Sequence, residues 1–166
     1  MAILEIKKFG DPILRKKAQK VERVDEGTKK LIVDIAQTIE KNQQGIGLAA
    51  PQVGVLKRII VIRGDFEGPG ILGLINPKII KKSKETGIGE EGCLSFPGVF
   101  LKIKRFKEVE VEGLALNGEK ITINATGILA RVFQHEIDHL DGILFIDRIN
   151  FWQRWKLKNK LKKVKL

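Results

Sequence analysis

The 166-residue chain has a single cysteine and two histidines. One cysteine excludes an internal disulfide, so nothing covalent staples the fold. No apolar run approaches the ~18 residues of a membrane span. The opening residues MAILEIKKFG carry no hydrophobic signal region, so the sequence reads as a cytoplasmic protein without a membrane partner. Repeats, low-complexity tracts and linker-like runs are also missing. The length suits one domain, 1–166, and a domain of this size buries roughly 70% of its unfolded surface, enough for a core without staples.

Acidic residues are missing from one end. Residues 151–166 hold seven Lys/Arg and no Asp or Glu, and so carry seven of the eleven net positive charges. A mildly basic body with a strongly basic tail points to an anionic partner for the tail.

Residues 2–8 suggest a short strand, and Pro12 opens a short helical segment to about residue 17. Asp25 is placed to cap a helix over 26–43, whose Leu31, Ile32, Ile35, Ala36 and Ile39 form one stripe and which Gly45 ends. The stretch 45–54 is too small and glycine-rich for a packing element. Strands are expected over 58–63, over 71–75 and 78–82 on either side of an Asn76-Pro77 turn, and over 99–107. A loop covers 64–70. Two alternating runs, 109–116 and 119–124, flank Asn117-Gly118 as a hairpin. A helix follows over about 125–140, ended by Gly142. Its inward stripes are Leu129, Phe133, Ile137 and Leu140, and Ile128, Arg131, His135 and His139; Gln134, Asp138 and Asp141 fall on a solvated face. Residues 143–149 read as extended, and a basic helix covers about 150–166. The fold class is α+β: a single compact domain with mixed or antiparallel strands around a central metal-binding helix, plus a C-terminal helix.

Both histidines lie in Gln134-His135-Glu136-Ile137-Asp138-His139, an H-E-x-x-H arrangement. Imidazoles four residues apart on a helix share a face and can grip one metal ion, while the Glu between them can handle the protons of a bound water. A hydrolytic site needs a third protein ligand and an open position. No third histidine exists. Asp141 falls on another face of the helix, which leaves Asp147 downstream and Cys93 upstream. Cys93 sits in polar, glycine-rich Glu90-Glu91-Gly92-Cys93-Leu94-Ser95, and a metal would hold it as thiolate. The competing reading is an inert buried thiol.

Three segments, Gly45-Ile46-Gly47-Leu48-Ala49-Ala50-Pro51-Gln52, Glu91-Gly92-Cys93-Leu94-Ser95 and Gln134-His135-Glu136-Ile137-Asp138-His139-Leu140-Asp141-Gly142, resemble the three signature motifs of peptide deformylases, in that family's order and spacing. The resemblance covers essentially the whole chain. It implies metal ligands Cys93, His135 and His139, with water in the fourth place and ferrous iron as the usual metal; nickel, cobalt or zinc can substitute. It implies hydrolysis of the N-formyl group from nascent polypeptides that begin with formyl-methionine, releasing formate. Hydroxide generated at the metal attacks the formyl carbon, with Glu136 as general base and then acid. Gln52 and the Leu94 backbone N–H would donate to the developing oxyanion; read alone, Gln52 is a turn residue. Main-chain substrate contacts are implied at Ile46, Gly47 and Gly92, which read a peptide as an added strand. Ile128, Val132 and the stem of Arg131 are the candidates for a methionine pocket, Arg131 having the alternative of a surface salt bridge. In the tail, Phe151, Trp152 and Trp155 suggest a helix that docks by its aromatics and offers cations to ribosomal RNA; a solvated charged face and a membrane-surface helix are the alternatives. A monomer is expected.

Overall fold

The computed structural model describes residues 2–42, 45–64 and 70–164. The expected end of the first helix at 43, most of the 64–70 loop and the last two residues of the terminal helix lie outside them. Helix α1 is Glu26–Lys41, and the strands are β1 (Gly47–Ala49), β2 (Ile59–Arg63), β3 (Ile71–Lys82), β4 (Thr86–Gly92), β5 (Phe100–Phe106), β6 (Glu108–Leu114) and β7 (Lys120–Thr126). Helix α2 is Gly127–Leu140 and α3 is Phe151–Val164.

Strands β1-β2-β3-β6-β7 form one antiparallel sheet in that order, and β4 and β5 pair as a separate ribbon. β2 shows why the sheet lies at the centre. Its run IIVI is buried on both faces: Ile59 and Val61 pack with Ile32, Ile35 and Ile39 of α1, while Ile60 and Ile62 pack with Phe133, Ile137 and Leu140 of α2. Because successive strand residues point to opposite faces, an uninterrupted apolar run is what a strand between two helices requires. The α1 stripe is buried as its period predicts, with Asp25 accepting from the Thr28 N–H at 2.7 Å. A third cluster joins Phe96, Val99 and Ile103 to Phe145, Ile146, Ile149 and Leu161, and so seats α3 beside the β4–β5 ribbon.

Several expectations are corrected. Residues 2–8 form no strand; their N–H groups go to side chains and isolated carbonyls, Ala2 to Asp34 and Leu4 to Thr38 of α1, and Lys7 to the Gln52 carbonyl. Asn42, not Gly45, caps the end of α1. The small-residue stretch does pack: it forms β1 and a 3₁₀ turn, Ala50–Val53, with Leu48, Ala49 and Ala50 fully buried. Asn76-Pro77 is not a turn but an irregularity inside the continuous β3, where Asn76 takes a φ of 53° and bonds both backbone groups of Val21. β4 carried no strand signal, because Gly87, Gly89 and Gly92 interrupt it. Residues 145–148 are a 3₁₀ turn and not extended.

Candidate metal centre

Helix α2 starts where β7 ends, and its last two turns are enclosed: every residue from Phe133 to Leu140 is buried. That includes Gln134 and Asp138, placed by periodicity on a solvated face. They are buried because partners meet them. Gln134 accepts from the Phe106 N–H and donates to the Phe106 and Ala130 carbonyls, while Asp138 receives Arg105 at 2.6 Å and also Arg148. Burial of these polar groups is tolerable only with such pairing.

The ligand face of α2 meets the loop after β4. Cys93 Sγ, His135 Nε2 and His139 Nε2 converge, with Sγ 3.3 Å from His139 Nε2 and the two Nε2 atoms 3.3 Å apart. His135 donates its Nδ1 proton to Glu91 Oε2 at 2.9 Å, so that in the neutral ring, the form that binds a metal, Nε2 carries the bare lone pair. Two imidazole nitrogens and a sulfur so aimed have little to offer one another and suit a cation between them, and a soft sulfur with two imidazoles is a borderline-metal donor set. The carboxylate behind a ligating histidine is a recurrent support of such sites. Asp147 is not part of the cluster: it pairs with Arg15 and accepts from the Leu144 N–H at 2.8 Å.

Glu136 lies beside the cluster, fully enclosed, with Oε2 lacking any hydrogen-bond partner. Burial pushes its carboxyl up to about 7, against the pull of His135. The room for it comes from Gly47, where a Cβ would stand 2.6 Å from Glu136 Oε1. Glu91 behaves oppositely. Burial opposes its charge, but hydrogen bonds from His135 and Arg105 win and hold it at about 2. Burial opposes the charge on His135, but its contacts with Cys93 and Glu91 raise it well above its ordinary value, whereas burial and the neighbouring His135 drive His139 well below it.

Gln52 reaches the cluster from the turn after β1. Its Oε1 accepts from the Ala49 N–H at 2.8 Å, and its Nε2 donates to Ser95 Oγ at 3.2 Å and to Cys93 Sγ at 3.4 Å. Leu94 follows Cys93 directly, and Lys8 Nζ donates to its carbonyl at 2.9 Å. The Ile46 carbonyl accepts from the Arg63 N–H at 2.7 Å. Alternation along an antiparallel strand then turns the amide groups of Gly47 to the open edge of β1, since among the described residues β2 is the only strand of the sheet beside it. Ile128 is 72% exposed, Val132 packs partly buried against the core, and Gly92 leaves room for the Phe100 ring. Arg131 is no surface salt bridge; it is 19% exposed and bonded to Glu91. Sequence reasoning assigned nothing to Glu91, Ser95 or Arg105. An available signal was Arg105 at an inward position of the alternating strand β5, where a buried cation demands buried acids.

A family model described as "Polypeptide deformylase" matches residues 3–155. The peptide deformylase of Thermodesulfovibrio yellowstonii is 49% identical over 164 residues, covering 98% of each chain. That of Halothermothrix orenii is 51% identical over 149 residues, covering 90% of this chain and 95% of its own. Among solved structures, peptide deformylase from Ehrlichia chaffeensis in complex with actinonin superposes with a TM-score of 0.91 at 41% identity, covering 99% of this chain and 97% of that one. The Thermotoga maritima enzyme gives 0.84 at 45% identity, covering 90% and 99%. With matches of this extent in both sequence and structure, the chain belongs to the peptide deformylase family.

Proposed function

We infer that the chain, as one catalytic unit over 1–166, is a metal-dependent hydrolase that removes the N-formyl group from the formyl-methionine of nascent polypeptides and releases formate. The observation that carries this reading is the convergence of Cys93, His135 and His139 beside the unpartnered Oε2 of Glu136. A divalent ion held by those three residues would supply Lewis acidity, making hydroxide available near neutral pH and polarising the formyl oxygen.

The residues of the chain supply the rest. Glu136 Oε2 takes the proton of the attacking water and delivers it to the departing amine. A carboxyl held near neutrality by burial suits both transfers. The Gln52 amide and the Leu94 N–H donate to the oxygen of the formyl group as it gains charge, each worth roughly 3 kcal/mol in comparable sites. Gln52 is preset for this: Ala49 fixes its carbonyl end, and its 3.4 Å contact to sulfur is the weaker of its two donations and the one a substrate oxygen replaces. Glu91 holds His135 in the tautomer that presents Nε2. The open edge of β1 at Ile46 and Gly47, with Gly92, receives the peptide main chain as an added strand. Ile128, Val132 and the stem of Arg131 border the methionine side chain.

Ferrous iron is the metal we propose, with zinc, nickel or cobalt able to occupy the same donors; elemental analysis of anaerobically purified protein decides among them. The protein works as a cytoplasmic monomer, and the basic α3 contacts ribosomal RNA. Deleting 151–166 should abolish low-salt co-sedimentation with ribosomes, and unchanged co-sedimentation would reject the contact. The enzymatic reading is tested by anaerobic formate release from a formyl-Met peptide with iron-loaded protein. Wild type should release formate and Glu136→Ala should not; an inactive wild type rejects it.

A further inference from the structure

The inner face of β4 is formed by Gly87, Gly89 and Glu91, alternate residues on one side of the strand. The middle position is not empty. A Cβ on Gly89 would stand 2.8 Å from both Arg131 Cζ and Nη2, and 3.0 Å from Nε. The guanidinium of Arg131, sent across from α2, occupies the place a side chain at 89 would take. From there Nη1 donates to Glu91 Oε1 at 2.8 Å and to the Ile103 carbonyl at 2.9 Å, with a longer 3.4 Å contact to the Gly89 carbonyl. Nη2 donates to the Gly87 carbonyl at 3.1 Å. Gly89 and Ile103 face one another across the β4–β5 ladder, so one side chain grips both strands of the ribbon at a single rung. It also shares Glu91 with Arg105, which holds both oxygens at 2.9 and 3.1 Å.

We propose that Arg131 is a positioning residue for the metal centre: it fixes the ribbon that carries Glu91 and Cys93 against α2, and Gly89 is glycine to admit it. The ribbon and α2 hold opposite sides of the ligand set, Cys93 following β4 and both histidines standing on α2. No ladder hydrogen bond joins ribbon and helix. The side chains that do join them are Arg131, Arg105 through Asp138, Gln134 at the far end of the ribbon, and Glu91 with His135 beside the ligands. A planar fork with several donors is required, because three acceptors in different directions must be met at once; a lysine offers one point charge and cannot reach them together. This inference rests on the proposed hydrolysis for its activity readout alone, whereas metal affinity and the Gly89 pairing are read without it.

The test uses metal-loaded full-length protein in five forms: wild type, Arg131→Ala, Arg131→Lys, Gly89→Ala, and Gly89→Ala with Arg131→Ala. Metal affinity is measured by chelator competition, and kcat and KM by formate release well below each variant's melting temperature. Arg131→Ala should weaken metal binding by about 10–100-fold, the loss typical when support behind a ligating histidine is removed, and lower kcat more than it raises KM. Arg131→Lys should recover little of either. Gly89→Ala should lower metal affinity and kcat by about tenfold with Arg131 present, yet cost less than about twofold when added to Arg131→Ala, since the clash is then gone. Metal affinity and kcat unchanged in Arg131→Ala, or full recovery with Lys, would overturn the positioning role. An equal cost of Gly89→Ala in both backgrounds would overturn the pairing. Absence of formate release in wild type would reject the proposed reaction instead, with the affinity comparisons still deciding on Arg131.

Discussion

Helices α2 and α3 are each fourteen residues long and treat polarity in opposite ways. In α2 the carboxyl-terminal half buries two histidines, a glutamate, an aspartate and a glutamine. In α3 the large apolar residues at the start stand in solvent: Phe151 is 72% exposed, Trp152 71% and Trp155 61%. The helix therefore does not dock by its aromatics; Leu157 and the buried Leu161 seat it on the third core cluster. Polarity alone decides neither pattern. The buried polar side chains of α2 meet specific partners except at the ligand atoms, His139 Nδ1 and Glu136 Oε2, and the unmet capacity of the ligand atoms and Glu136 Oε2 marks the place for a metal and water. The aromatics of α3 are exposed because the described residues bring nothing over them, and their exposed surface beside a basic run is what a nucleic-acid partner would use.

The contrast can be broken at four points. Glu136→Ala should lower kcat by about 10²–10⁴-fold, the scale of general base catalysis, with metal content unchanged by elemental analysis; loss of metal instead would make Glu136 a structural group. Arg105→Ala should destabilise the fold by about 3–5 kcal/mol in denaturant unfolding, because it leaves the buried Glu91 and Asp138 short of a cation. A loss under about 1 kcal/mol would show that the pairing in α2 does not sustain its burial.

Stability should also depend on acid through Glu91. Its folded-state pKa of about 2 lies below the ordinary 4.5, so its contribution is complete above 4.5 and is lost as pH falls toward 2, amounting to about 3 kcal/mol. Glu91→Gln should flatten that part of the stability curve, and an unchanged acid limb would remove Glu91 as its source. The raised Glu136 has the opposite sign. In the metal-free protein, its burial favours the fold below 4.5 and disfavours it as pH rises through about 7. In the loaded enzyme activity should fall as pH drops through its pKa, at a midpoint below about 7, because the cation pulls the value down. The smallest effect belongs to α3. Trp152→Ala should change stability by less than about 0.5 kcal/mol while weakening ribosome co-sedimentation; a large loss of stability would mean that the aromatics pack.

The same contrast shows where the sequence was readable. The H-E-x-x-H pair and its helix, the α1 stripe and the β6–β7 hairpin around Asn117-Gly118 follow from spacing and periodicity, whereas the convergence of Cys93 with both histidines is implied by the family resemblance, the residues alone leaving Asp147 open. β4 was invisible because glycines replace its inward side chains, and the reason, Arg131 of α2 lying over Gly89, is 42 residues away in the chain. Gln134 and Asp138 were misplaced because helical periodicity ranks positions by apolarity and cannot see that Arg105 and the Phe106 backbone wait on the polar side. Residues 2–8 look like a strand locally, yet their partners are the side chains of Asp34 and Thr38. In each case the missing information was a pairing distant in sequence.

The ligand set itself is open to X-ray absorption on the metal-loaded protein. One sulfur and two imidazole nitrogens should appear among the metal's ligands, and the sulfur should vanish in Cys93→Ser. A sulfur-free site in wild type, or one unchanged by that substitution, would contradict the account.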